Sequence, residues 1–141
     1  MANKGKRVTE EELEDLLTQV INGFSAIIRV TARPALVARA VKELPNYPGD
    51  YEVVHVKDSI RSALVAFVQS PDKSEVWEET VDTDQFADRP LGWAKLLQQM
   101  QNKSYGRTFF VFVPKALAHK DFLEALEDAD TGPYIVVVEQ D

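Results

Sequence analysis

Residues 108–113, Thr-Phe-Phe-Val-Phe-Val, contain almost no polar alternation, and such a strand is stable only where both faces of a sheet are covered. The run is therefore expected at the centre of the fold. Its three phenylalanines and two valines are each worth about 1.5–3 kcal/mol when fully buried, so the rest of the chain must supply layers on both sides. With 141 residues the chain makes one domain, long enough to bury about two thirds of the surface it exposes when unfolded.

The pattern on either side of this run alternates strands with helices. Residues 1–8 are polar and read as a flexible terminus. Thr9 with Glu12 three positions on forms a capping box, in which each side chain satisfies an orphan amide of the first helical turn. A helix is expected from Glu10, with Leu13, Leu16, Leu17, Val20 and Ile21 on one face and Gly23 at its C-terminal cap. It reads as a cover for the sheet, or alternatively as an arm that docks on a partner. Residues 25–30 read as the first strand, and Pro34 suits the first turn of a helix that buries Leu36, Val37, Ala40, Val41 and Leu44. Residues 51–56 form the second strand. Asp58 or Ser59 then caps a helix carrying Ile60, Ala63, Leu64, Phe67 and Val68.

Between Pro71 and Pro90 the composition shifts, with Asp72, Glu75, Glu78, Glu79, Asp82, Asp84 and Asp88 facing only Lys73 and Arg89. Residues 76–81 could add a short edge strand, but most of this stretch reads as an exposed acidic loop or insertion of about residues 71–90, and loops of this length are often functional. Trp77 and Phe86 either pin the loop to the domain or serve as aromatic anchors for a partner. A helix over residues 91–101 follows, burying Trp93, Leu96, Leu97 and Met100. Beyond the central strand, a helix from 115 or 119 to 129 buries Leu117, Phe122, Leu123 and Leu126, and residues 134–138 form a last apolar strand. The sum is a three-layer α/β sandwich: a mostly parallel sheet of four to five strands with helices on both faces, making residues 9–141 a single domain.

No constellation of residues specifies a reaction. The chain has no cysteine, which removes disulfides, thiolate catalysis and cysteine metal sites, and fits a reducing compartment. The basic residues near Met1 precede no apolar core of a signal peptide, and no run approaches the roughly 18 apolar residues of a membrane span. A soluble, cytoplasmic protein is expected. A net charge of −7 opposes non-specific attachment to nucleic acid or anionic lipid and favours a basic partner. Glycine-rich phosphate loops and the nucleophile elbow are missing. His55 and His119 are the two histidines, with no carboxylate at metal-ligand spacing, so no metal and no cofactor is expected. Each histidine reads more simply as a structural or surface residue.

What remains is positional. In parallel α/β sheets ligands bind beyond the carboxyl ends of strands, where Arg33, Lys57, Ser59 and Lys115 could bind a phosphate or carboxylate. The plainer reading is solvated charge at loop ends.

The order of elements, a helix and then four strand–helix alternations, resembles the nucleotide-binding subdomain of AAA-type P-loop ATPases over roughly residues 10–138. Where that family carries its glycine-rich lysine loop, this chain has Val30-Thr31-Ala32-Arg33-Pro34. Where the family has acidic residues ending its third core strand, this chain has Val113-Pro114-Lys115. The resemblance implies a relative without ATPase chemistry, similar to the non-hydrolysing subunits that serve such assemblies as scaffolds.

The expected function is non-catalytic binding or regulation of another macromolecule, with Trp77, Glu78, Glu79, Asp82, Asp84 and Phe86 as the surface meeting a basic protein. Two alternatives stand beside it. One is a small-molecule or nucleotide-handling enzyme using the strand carboxyl ends. The other is an acidic inhibitor occupying the nucleic-acid-binding surface of a target protein.

Overall fold

The computed structural model describes residues 6–7, 27–43, 51–70, 77–104, 107–127 and 133–140. In chain order the elements are β1 (Lys6–Arg7), β2 (Ile27–Ala32), α1 (Pro34–Glu43), β3 (Tyr51–His55), α2 (Ile60–Gln69), α3 (Pro90–Asn102), β4 (Thr108–Pro114), α4 (Lys120–Leu126) and β5 (Tyr134–Gln140). Short 3₁₀ turns cover Thr83–Gln85 and Lys115–Leu117. The helix expected over residues 10–21 lies outside the described residues.

The strands form one sheet in the order β1-β2-β5-β4-β3, with every neighbouring pair parallel. From β2 the chain passes through α1 to β3 at the far end of the sheet, then returns one strand at a time through β4 to β5. Right-handed crossovers put the outward and returning connections on opposite faces, and the core divides accordingly. Ile60, Leu64, Phe67, Leu96, Leu97, Met100, Phe122 and Leu126 from α2, α3 and α4 pack with Val54, Phe109, Val111, Val113, Ile135 and Val137. On the other face Val37 of α1 packs with Val30, Ala32, Phe110, Phe112, Tyr134, Val136 and Val138. Alternate residues of β4 and β5 therefore enter different cores, which is why residues 109–113 and 135–138 carry no polar side chain. Phe109, Phe110 and Phe112 are at most 1 % exposed.

β4 is interior, as its composition requires, but β5 takes the middle place and β4 lies beside it. Lys6 and Arg7, expected in a flexible tail, pair with Val30 and Thr31 and so cover part of the outer edge of β2. No strand occurs at Trp77–Val81: the Glu78 amide donates to the Lys103 carbonyl at 2.7 Å, in a loop rather than a ladder. The helix expected after Pro114 is divided into the 3₁₀ turn and α4.

Ser59 caps α2, its hydroxyl accepting from the Ser62 amide at 3.1 Å. α3 starts on Pro90 without a side-chain cap, a position where the missing proline N–H costs nothing. At the amino ends of β3 and β4, Glu52 is buried and accepts from the Arg107 guanidinium at 2.7 Å. Gln101 spans the same corner: its carbonyl accepts from the Phe109 amide at 2.9 Å while its amide donates to the Arg107 carbonyl. These bonds satisfy the Glu52 carboxylate, the Arg107 carbonyl and the Phe109 amide at this corner. No helix among the described residues is long and apolar enough to cross a membrane.

Candidate functional site: an acidic shoulder and the carboxyl edge of the sheet

The acidic segment lies against α2, α3 and the start of β4. Trp77 is half-buried, stacked on Phe109 with ring centroids 5.9 Å apart and planes 9° from parallel, and it meets the Phe67 ring edge-on at 5.9 Å. Phe86 is also half-buried and packs on the same core, while its carbonyl accepts from the Arg61 guanidinium at 3.1 Å. Both aromatics thus face inward and fasten the segment. The carboxylates do the opposite: Glu78, Glu79, Asp82 and Asp84 are all exposed.

Further bonds fix the outward set. Asp82 caps the 3₁₀ turn, its side chain accepting from the Asp84 amide at 3.0 Å. Glu79 meets the Lys103 ammonium at 3.3 Å, an exposed pair that contributes little stability by itself. Asp88 accepts from the Trp93 indole N–H at 2.8 Å, and Val81 and Thr83 are buried between the exposed acids. The segment is irregular in backbone yet anchored at both ends. Of the six residues expected to meet a partner, four form an outward acidic shoulder and two, Trp77 and Phe86, hold it in place.

At the carboxyl edge the expected cationic residues do not converge. Strands lie about 4.8 Å apart, and Arg33 follows β2 while Lys57 follows β3, three strand spacings away, or roughly 14 Å. Lys115 pairs with Glu139 of the neighbouring strand at 3.3 Å. Ser59 is occupied by its helix cap. Arg33 alone separates β2 from α1, so the chain has no multi-residue loop there to wrap a phosphate.

A pocket of about 60 Å³ does open at this edge, lined by Pro34, Val37, His55, Phe112, Val113, Pro114 and Val138. Ligand pockets for drug-sized molecules run to several hundred Å³, so this one admits only a few atoms. His55 is the one titratable residue in the lining. Desolvation of the part of its ring within the wall, and secondarily the Lys57 charge, lower its pKa from the usual 6.5, which favours neutral imidazole at pH 7. No nucleophile or carboxylate stands among the lining residues to work with it.

Comparison with protein-family models, curated proteins and solved structures gives no match. Among the described residues, no group of three or more His or acidic side chains is placed to hold a metal ion. His119 precedes α4 and lies edge-on to Trp93, with centroids 5.2 Å apart, far along the chain from His55.

Sequence reasoning missed Arg61, Lys103 and Asp88 as the residues that hold the shoulder in place. Arg61 and Lys103 act on a segment distant in the chain, and Asp88 bonds the Trp93 indole five residues on, a spacing that no helical or strand period marks. Glu52 could have been found: it alternates in phase with Val54 and Val56, so its carboxylate had to enter the core and find a cation.

Proposed function

We propose that this chain is a non-catalytic binding domain whose acidic shoulder, Glu78, Glu79, Asp82 and Asp84, docks on a basic surface of a partner protein. The observation that carries this reading is the division of labour within one segment. Its aromatics are turned into the core and its carboxylates are held outward on an anchored backbone. A surface fixed before encounter loses little entropy on binding, and charge of one sign accelerates the approach of an oppositely charged partner. The small apolar pocket and the dispersed cations weigh against the enzymatic alternative. We extend the same proposal to the suggested kinship: a relative of the AAA-type subdomain serving as a scaffold, in keeping with the single-residue link between β2 and α1.

The test uses an arginine-rich peptide as probe. In an NMR titration of the full chain, the largest amide shifts are expected at residues 78–84, with affinity falling as salt rises. Replacing Glu78, Glu79, Asp82 and Asp84 by their amides should remove those shifts while leaving the melting temperature nearly unchanged, since asparagine at position 82 still caps the turn. Shifts centred elsewhere, or binding that survives the four substitutions, would discard the shoulder as the docking surface.

A further inference from the structure

β3 ends the sheet, and its pairing with β4 determines what its outer side offers. The Val56 amide donates to the Phe112 carbonyl at 2.9 Å, in frame with the register Val54↔Val111 and His55↔Phe112. In a parallel ladder the N–H and C=O of one residue point to the same side and alternate along the strand. Glu52, Val54 and Val56 therefore direct their backbone groups to β4, and Tyr51, Val53 and His55 direct theirs outward. Among the described residues no strand flanks that side.

The devices that blunt an edge are missing within β3. It has no proline or lysine, and its register runs from Tyr51 to His55 without a bulge. Its one charge, Glu52, is buried against Arg107 and does not guard the edge. The side chains of the outward-directed residues share the face of the sheet that α1 covers. Tyr51 and Val53 are half-buried there, Tyr51 edge-on to Phe110 at 5.6 Å, and His55 is exposed.

These three positions are their own complement about Val53. An antiparallel two-fold through that residue places Val53 opposite Val53 of the partner subunit and Tyr51 opposite His55 of the partner subunit. Each is a pair whose backbones exchange both hydrogen bonds. The cross-strand neighbours are β-branched with β-branched and aromatic with imidazole, the kinds of pair that stabilise a ladder. The intervening Glu52 falls opposite the partner's Val54, so no like charges meet within the paired strand. We propose that the chain forms a two-fold dimer by antiparallel pairing of β3 with β3 of a second copy, making one continuous sheet. The dimer presents two acidic shoulders, but its formation does not depend on what they bind.

Analytical ultracentrifugation of the full chain over a concentration series tests this, together with two variants. Val53→Pro removes an amide that points away from β4, so it blocks edge pairing and leaves the internal ladder intact. Val53→Lys keeps the backbone and sets like charges against each other across the two-fold. The wild type is expected to shift from monomer to dimer as concentration rises, with hydrogen exchange slowing at Tyr51, Val53 and His55. Both variants should remain monomeric, with far-ultraviolet circular dichroism like that of the wild-type monomer. Should Val53→Pro fail to fold, Val53→Lys decides alone. A wild type that stays monomeric throughout, a different protein bound along β3, or a dimer that persists in folded Val53→Lys would each overturn the proposal.

Discussion

Trp77 shows how one residue of a segment can act in a different way from its surroundings. In a stretch dominated by carboxylates, an aromatic suits either a partner or the core, and Phe109 decides between them by offering a flat ring for it to stack on. Trp77→Ala is expected to cost about 2–4 kcal/mol, toward the low side of large-to-small core changes because the ring is only half-buried; a melting curve measures it. The indole N–H is buried without a hydrogen-bond partner among the described residues, a costly condition. Trp77→Phe, which trades lost area for relief of that donor, should therefore lie much closer to the wild type. His55 gives the second prediction at this scale. Its folded pKa lies below the unfolded 6.5, so the unfolded state takes up its proton first as pH falls. Its contribution to stability is complete above 6.5 and is lost as pH drops from there through the lower folded value. His55→Gln should flatten that part of a stability profile measured by urea unfolding, and an unchanged slope would mean another group is responsible.

α3 carries the clearest prediction at the scale of elements. A helix normally gains about 1 kcal/mol when an interior glycine becomes alanine, yet a Cβ at Gly92 would stand 1.9 Å from the Ala87 carbonyl oxygen. The end of the acidic segment packs directly on the first turn of this helix, where the Trp93 amide also donates to the Arg89 carbonyl at 2.9 Å. Gly92→Ala should therefore lower the melting temperature and increase amide exchange over residues 83–89. A more stable protein would show that the approach is not maintained in solution. The existence and type of most described elements followed from sequence, because hydrophobic period and caps are local: Ser59 begins α2 and Pro90 begins α3 where side-chain chemistry puts them. β1 did not, since two polar residues form a strand only when an edge such as that of β2 is brought to them. Residues 77–81, which read chiefly as loop with a short edge strand as the other option, form no strand because Lys103 and Phe109 give residues 77–78 partners outside a ladder.

Across the whole molecule, the outward connection through α1 and the return through α2, α3 and α4 divide the structure into two cores, and they leave the ends of the sheet chemically unequal. The carboxyl edge holds a small apolar pocket and spaced cations, so ATP with magnesium is expected to cause no thermal shift and no phosphate release; turnover lost on changing Arg33 or Lys57 would reverse that conclusion. Net charge of −7 and the shoulder at Glu78, Glu79, Asp82 and Asp84 act instead over distance, on encounter with a basic surface. By itself the sequence determined that Phe109 to Val113 must be covered on both faces, that strands alternate with helices, and that no phosphate loop or thiol chemistry is present. These are properties of composition and local period, which neighbouring residues impose on one another directly. Only the tertiary structure decided that β5 lies at the middle, that Trp77 turns inward, that Glu52 meets Arg107 and that β3 is left at an edge, because each depends on which distant segments are brought together once both faces of the sheet must be buried.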